Sequence, residues 1–434
     1  MKEFKVKIED LGMNGEGIGR FDGKTCFVPF SLTGEEVLVY LQKEKDNLLF
    51  CTKKEVLKKS DKRVEPKCPY FERCGGCTIE HLDYEESLDF KTELVKNTIK
   101  KISGEDVLVS KTVASENNYC YRTKNVFPVC VYNDKVVVGM YERGTRKIVE
   151  IDKCLLANDN INKALKIVKE FLNADNKNIL QARNIKFVVV QSLSNQVVVT
   201  LVATKMLKGL EMLSQSLKKE FEKFGLFVNI NQNKGGIILD GKLVYVAGIK
   251  CLTDESFGIK YEISPFSFMQ VNLSVKEKLY KRVLVEIKES DVVIDAYSGA
   301  GLLSSMIAKK AKQVVGIEIV KDAVINADKT KEENNIQNLT NICGDCKKEF
   351  NAVYHKFNPT VVVLDPPQKG VEEGVLEELT KTTVDKIIYV SCNPKTLARD
   401  LKVLLKEYKI KEICPFDMFP NTAEVETIVV LKRK

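Results

Sequence analysis

The chain has 434 residues, 44% of them hydrophobic and 29% charged, which excludes a wholly disordered protein and suggests roughly three domains. The formal net charge of +8 favours a polyanionic partner, and the presence of only two histidines argues against a multi-histidine metal site. The longest apolar runs are strand-sized and the first residues lack a secretory pattern, so we expect a cytoplasmic protein with no membrane partner.

The first 57 residues are predicted to form a small β-barrel. Residues 4–8 and 36–40 alternate apolar and polar side chains, as strands with one buried face do. Between them, residues 12–23 are dense in glycine, which favours tight turns between short strands. A purely structural barrel is one alternative, but on a basic chain such a barrel is more often a nucleic-acid module.

Residues 58–270 are predicted to form a central α+β domain. A basic segment, residues 53–63, spans the start of this domain. It is predicted to be a linker whose charges are either solvated or in contact with phosphate. A helix is predicted over residues 84–101, and a second helix presents an apolar face that runs from Ala164 to Leu172. The predicted strands of this domain are residues 125–129, 135–138, 186–190 and 196–202.

Residues 271–434 alternate strands with helices, which predicts an α/β domain with a parallel sheet covered by helices on both faces. Its predicted strands are residues 292–295, 313–319, 361–365, 386–391 and 425–431.

The spacing of the cysteines points to a metal site. Cys68, Cys74 and Cys77 lie within ten residues, and the glycines between the last two let the backbone bend around a ligand. Three thiolates need a fourth ligand for an iron–sulfur cluster. Zinc is the competing metal, although its ribbons favour two paired C-x2-C elements, and unligated thiols are a further alternative. The nearby cysteines that could supply the fourth ligand are Cys120, Cys130 and Cys154.

A glycine loop follows the strand that ends in Asp295. Gly299 and Gly301 let a ligand approach the backbone at the carboxyl edge of the sheet, but the third glycine of a dinucleotide site is missing. Glu318 ends the next strand, where an acid suits a ribose diol. The combination fits S-adenosylmethionine better than NAD, because there is no pyrophosphate to bind.

Three further polar residues belong to strand ends. Asp365 and Cys392 each follow an apolar strand, which places both at the carboxyl edge and makes Cys392 a candidate nucleophile. Glu424 and Glu426 are spaced to share one face of the last strand. A carboxylate in an apolar strand is costly without a task or a partner. We expect Glu424, nearer the strand start, to be the more exposed of the two.

Together these motifs resemble the RNA uracil-5-methyltransferases, most closely the iron–sulfur branch that acts on 23S ribosomal RNA. The similarity extends over essentially the whole chain, and residues 1–57 resemble a TRAM domain, an OB-like RNA-binding barrel. The segment Ser264–Asn272 is similar to the family's cofactor-binding segment. The resemblance implies a Rossmann-like S-adenosyl-L-methionine-dependent domain after an iron–sulfur domain. It also implies a [4Fe–4S] cluster, RNA as the partner and no protein partner, so a monomer is expected.

The resemblance also implies a role for each site residue. Cys392 falls on the nucleophile, Glu426 on the general base and Asp365 on a residue that orients the uracil. The implied cluster ligands are Cys68, Cys74, Cys77 and Cys154. The implied cofactor residues, with the two loop glycines, are Gln270, Tyr297, Gly299, Gly301, Glu318, Asp345 and Asp365.

Departures from the family pattern and competing functions leave the exact substrate open. Gln368 stands where relatives often carry Arg, and Glu424 stands where His is common. Transfer RNA is the alternative substrate for the same chemistry. A radical methylthiotransferase and a non-catalytic RNA-binding protein are more remote alternatives. We expect the cluster to be structural, because it lies in a different segment from the thiol and the glutamate.

Overall fold

The N-terminal part of the chain folds into a closed barrel whose strands follow the order β1–β2–β3–β5–β4. The computed structural model describes residues 2–233 and 235–434. Alternation in the first strand buries Phe4, Val6 and Ile8, as its pattern predicts. The five barrel strands are β1 Glu3–Leu11, β2 Gly17–Phe21, β3 Lys24–Val28, β4 Glu36–Lys45 and β5 Leu48–Lys58.

The basic segment predicted as a linker is partly strand. Residues 53–58 lie in β5, which closes the barrel because it pairs with β3 on one side and with β4 on the other. Barrel closure satisfies the backbone groups that a solvated linker would leave to water. The lysines of this segment are therefore presented from a fixed surface.

The central region is built on a mixed seven-stranded sheet, whose order is β12–β11–β10–β9–β6–β7–β8. A separate two-stranded hairpin pairs β13 with β14. The helices of this region are α1 Tyr84–Ser103, α2 Asp159–Leu172, α3 Asn176–Ala182 and α4 Glu211–Glu220. Its strands are β6 Lys124–Tyr132, β7 Lys135–Tyr141, β8 Ile148–Glu150, β9 Ile185–Leu193, β10 Gln196–Ala203, β11 Lys223–Ile230, β12 Lys242–Gly248, β13 Leu252–Ser256 and β14 Ile259–Ile263.

The C-terminal region is a second seven-stranded sheet, in the order β17–β16–β15–β18–β19–β21–β20. The first five strands are parallel, and β21 runs antiparallel between β19 and β20. Its strands are β15 Val292–Ala296, β16 Gln313–Glu318, β17 Leu339–Cys343, β18 Val361–Leu364, β19 Lys386–Ser391, β20 Tyr408–Phe416 and β21 Glu426–Arg433. Its helices are α5 Leu273–Val285, α6 Leu302–Ala308, α7 Lys321–Glu333, α8 Cys346–Phe357, α9 Glu373–Lys381 and α10 Pro394–Leu404.

Helix α1 packs on the C-terminal sheet although 169 residues separate it from that sheet's first helix, α5, in the chain. Val95 and Ile99 are fully buried in the same core as Leu397 and Leu401 of α10. This face of α1 is apolar at intervals of three and four residues, which is the spacing that one helix face requires. Within the described residues, no helix is both long and apolar enough to cross a membrane.

Candidate active site

The site lies where the strand order reverses, at the carboxyl ends of β15 and β18. In chain order β15 is followed by β16 on one side, whereas β18 and β19 lie on the other, so a crevice opens between them. Glu318 ends β16, while Asp365 and Cys392 directly follow β18 and β19. The topology therefore places these three side chains along one edge of the sheet.

The glycine loop after β15 adopts a strained backbone. Tyr297, Gly299 and Gly301 have φ angles of 68°, 56° and 76°, a region that glycine enters freely and tyrosine does not. A Cβ at position 301 would come within 2.5 Å of the Ala327 Cβ, so glycine is also required sterically. A Cβ at Gly299 would meet no atom within 4 Å, so the loop backbone is open at this position.

Glu318 is fixed against this loop. One carboxylate oxygen accepts the Gly299 N–H at 3.0 Å, and the other accepts the Val320 N–H at 2.8 Å. Each oxygen keeps a second lone pair for a ligand hydroxyl. Asp345 stands beside it, because Gly344 N donates to the Glu318 carbonyl at 2.9 Å, and Asp345 caps α8 through the Lys347 N–H.

The segment that contains Gln270 lies next to α7, the second helix after the glycine loop. Asn326 of α7 donates to the Ser267 hydroxyl at 3.1 Å, and Thr123 of the central region donates to the Gln270 carbonyl at 3.4 Å. Gln270 itself is buried. The segment before α5 therefore contacts both α7 and the central region.

The loop that begins at Asp365 is held by α10. Asn393, the residue after Cys392, donates to the Gln368 carbonyl at 3.2 Å. Asp400 is fully buried and accepts the Val371 N–H at 2.9 Å. These hydrogen bonds join the loops after β18 and β19 to each other. They therefore fix the position of Asp365 relative to the Cys392 thiol.

Strand β21 brings Glu426 to the thiol. Thr427 lies opposite Ser391 in the antiparallel ladder, so one further step along each chain sets Glu426 against Cys392. Glu426 is 4% exposed, whereas Glu424 is exposed. Because β21 begins at Glu426, Glu424 precedes the strand, and the predicted shared strand face does not exist.

The crevice brings three acidic side chains, Asp295, Asp365 and Glu426, close to one another. Burial raises the pKa of Asp295 and of Asp365 to about 7, and each is raised further by a neighbouring acid. Burial, then Asp365 and Glu424, raise the pKa of Glu426 well above its ordinary value. Within the described residues, every side-chain charge that shifts these three carboxyl pKa values is negative. Such a pocket favours a cationic ligand.

The same burial and the same acidic side chains act on the Cys392 thiol. Burial, followed by Glu426 and Asp365, raises the pKa of Cys392 to about 12. We expect alkylation of Cys392 by iodoacetamide to accelerate about tenfold per pH unit from pH 7 to 10, because only the thiolate reacts. Mass spectrometry of the Cys392 peptide measures this rate, with glutathione as the reference thiol. A rate that levels off below pH 9 would contradict the raised pKa.

Four cysteines line one partly enclosed cavity in the central region, which we call the thiol cavity. Burial raises the pKa of Cys68, of Cys74 (to about 11) and of Cys77, and their mutual charges add to this. Buried Glu80 also borders the cavity, with one carboxylate oxygen unpartnered. In the part of the chain that the structure describes, no three Cys, His, Asp or Glu side chains are arranged to chelate one metal ion. The cysteines of the cavity are Cys68, Cys74, Cys77 and Cys154.

The structure contains a buried ion pair that the sequence analysis did not predict. Lys91 of α1 is fully buried and donates to Asp417, just after β20, at 2.5 Å. The available indication was the position of Lys91 on the apolar face that also carries Leu88 and Val95. A lysine in such a stripe needs an acidic partner, but the pattern does not say which.

The sheet order, the glycine loop and the acid at the second strand end define a Rossmann-like S-adenosylmethionine-dependent methyltransferase carrying an N-terminal five-stranded barrel. The sequence model of the tRNA (uracil-5-)-methyltransferase family matches residues 83–434, and that of the TRAM domain matches residues 1–53. The chain belongs to this family of RNA uracil-5-methyltransferases, as its motifs predict.

Relatives and a solved structure agree with this assignment. An uncharacterized RNA methyltransferase of Clostridium tetani is 35% identical over 99% of this chain and 96% of its own. One from Caldanaerobacter subterraneus is 34% identical over 100% and 98%. The Pyrococcus abyssi tRNA (uracil-54, C5)-methyltransferase, solved with S-adenosyl-L-homocysteine, has a TM-score of 0.80 and 26% identity, covering 98% of this chain and 99% of that one.

Proposed function

We propose that this enzyme methylates C5 of uracil in 23S ribosomal RNA, with Cys392 as the nucleophile and Glu426 as the general base. The observation that carries the chemistry is the ladder register that sets Glu426 against Cys392 at the carboxyl edge of the sheet. A thiol and a buried carboxyl side by side suit a reaction that adds a nucleophile and later removes a proton.

Cys392 makes the uracil reactive. C5 of uracil is too weak a nucleophile to take a methyl group directly. Addition of the thiolate to C6 breaks the C5–C6 double bond and gives an enolate whose C5 is nucleophilic. Asp365, with its pKa raised to about 7, faces the base and orients it through N3–H or an adjacent oxygen. The target base must leave its stack to reach this site.

Glu426 completes the reaction. S-adenosylmethionine, when bound, supplies the methyl group to C5, which then carries both the methyl group and a proton. Glu426 takes that proton, the enolate re-forms, and its electrons expel Cys392 from C6 as the double bond returns. The products are 5-methyluridine, the demethylated cofactor and one proton.

The residues of the crevice suit this cofactor. A cation bound among Asp295, Asp365 and Glu426 would lower their raised pKa values, so the crevice favours a sulfonium cation over its neutral product. Glu318 is positioned to accept from a ribose diol, and its carboxylate holds the loop that carries Tyr297, Gly299 and Gly301. The resemblance to the family adds Gln270 and Asp345. We assign these residues to cofactor binding.

We further propose that the thiol cavity holds a [4Fe–4S] cluster. The support is the convergence of Cys154 on the three clustered cysteines in one cavity. A cluster carries its own bridging sulfides, so its ligands stand farther apart than the four thiolates that surround one zinc ion at about 2.3 Å. Bound there, the cluster would draw these thiols into their ionised form and stabilise the surrounding segment.

Anaerobically purified protein is expected to contain about four iron and four sulfide per chain. Cys77→Ser should lose both, whereas Cys130→Ser should retain both, because Cys130 is exposed on β6 and does not border the cavity. Iron, sulfide and zinc analysis measures this. Stoichiometric zinc without sulfide would contradict the assignment.

The RNA is expected to lie across the barrel, residues 1–57, and the central domain, residues 58–270. The Arg143 guanidinium stacks over the Phe30 ring of the barrel segment at 5.2 Å, at the contact between the two regions. Lys124 is half-buried and its ammonium donates to the Ser267 carbonyl at 3.4 Å, and partial burial lowers its pKa to about 8. With Arg122 and Arg146, these cations would contact phosphate or a stacked base.

Transfer RNA is the second candidate, because the structural neighbour from Pyrococcus abyssi is named for uracil 54 of tRNA. Mapping 5-methyluridine by mass spectrometry in 23S and transfer RNA from a strain lacking the gene separates the two. Loss of the modification from 23S RNA, restored by the wild-type gene but not by Cys392→Ala, supports ribosomal RNA. Loss of 5-methyluridine from transfer RNA alone would show that transfer RNA, and not 23S ribosomal RNA, is the substrate.

A further inference from the structure

The loop before Glu426, residues 417–424, is held by segments that lie far from it in the chain. We call it the base loop. Tyr121 donates to the Pro420 carbonyl at 3.1 Å, and the Asn421 side chain donates to the Asn118 carbonyl at 2.7 Å. These contacts come from the central region. The methyltransferase sheet alone therefore does not define the position of this loop.

The start of the base loop is fixed by a buried ion pair. Asp417 is fully buried and accepts from Lys91 at 2.5 Å and from the Tyr84 hydroxyl at 2.8 Å. Lys91 also donates to the Phe419 carbonyl at 3.1 Å. Because both charges are buried, separating them is costly, so this end of the loop is rigidly joined to α1.

The other end of the base loop is fixed by Thr78. The N–H groups of Thr78 and Ile79 donate to the Asn421 carbonyl at 3.1 and 3.2 Å, and the Thr78 hydroxyl accepts the Ala423 N–H at 3.0 Å. Thr78 directly follows Cys77 of the thiol cavity. The segment that carries the clustered cysteines therefore contacts the loop before Glu426.

A displacement at Ala423 passes to Glu426. Only Glu424 and Val425 separate the two residues, and an extended chain advances about 3.3 Å per residue with little slack. Val425 is buried, which leaves no room for the segment to relax outward. The carboxyl of Glu426 therefore takes its position partly from the bond that Thr78 accepts.

We propose that Thr78 is a positioning residue for the general base: through the base loop it holds Glu426 where the C5 proton of the methylated uracil appears. The inference rests on the proposed function. Thr78 contacts neither substrate nor cofactor in this role. It acts on the final proton removal and not on thiol addition or methyl transfer.

Thr78→Val keeps the shape of the side chain and deletes the acceptor for Ala423 N–H. We expect elimination to slow about tenfold, since small misplacements of a catalytic group have effects of that order, with methyl transfer unchanged. Single-turnover kinetics with a labelled methyl donor follow both steps, as methylated covalent adduct and as released 5-methyluridine. Thr78→Ser should restore the wild-type ratio.

Asn421→Gly gives a second test, because Asn421 has φ 66° and glycine accepts that backbone while losing the bond to Asn118. It should also favour the adduct. Thr92→Val is the matched control, since its hydroxyl bonds within α1 and to Thr112 but not to the base loop. Equal slowing of both steps in Thr78→Val and Asn421→Gly would overturn the inference. A wild-type enzyme that forms neither adduct nor product would instead refute the proposed function.

Discussion

Glu426→Gln is expected to accumulate a methylated covalent complex between Cys392 and the RNA. The variant should still add the thiol to C6 and transfer the methyl group, because neither step needs the Glu426 carboxylate. Elimination should slow by about 10²–10⁴-fold, since the C5 proton has no base to take it. The complex survives denaturing gel electrophoresis, where a labelled methyl group reports its formation on a uracil-containing RNA fragment.

Two controls separate this expectation from other roles of the carboxylate. Glu424→Gln should turn over nearly as the wild type, because Glu424 is exposed and precedes β21. Glu426→Gln combined with Cys392→Ala should form no adduct. If Glu424→Gln alone accumulated the complex, the base would be the wrong glutamate. If both single variants lost activity without an adduct, the carboxylate would act earlier, in placing the uracil.

Cys392→Ser is expected to abolish methylation, with a loss on the order of 10⁴-fold or more in the methyl-transfer rate. A serine hydroxyl is far less acidic and less nucleophilic than a thiol. Two other thiols at this edge, Cys343 and Cys346, lie at or just after the end of β17, which three strands separate from β19. Binding of S-adenosylmethionine, measured by calorimetry, should survive because Glu318 and the glycine loop are unaltered. Near-normal turnover in a folded Cys392→Ser variant would reduce the thiol to a packing role.

The placement of the candidate site residues on the parallel strands was predictable from the sequence. Each of β15, β16, β18 and β19 is an apolar run that ends at a polar residue, and parallel strands share one carboxyl edge. That rule alone places Asp295, Glu318, Asp365 and Cys392 together. The turn at Gly299 and Gly301 was equally predictable, because only residues that tolerate a positive φ suit such a turn.

Local sequence therefore determined the class of fold, the cofactor edge and the cysteine cluster, since periodicity, turns and short spacings are properties of neighbouring residues. Only the tertiary structure decided that β21 inserts antiparallel beside β19, which sets Glu426 opposite Cys392. It also decided that Lys91 meets Asp417 across 326 positions and that Thr78 holds the base loop. Such pairings depend on which buried surfaces complement each other across the whole chain, and no local pattern specifies that choice.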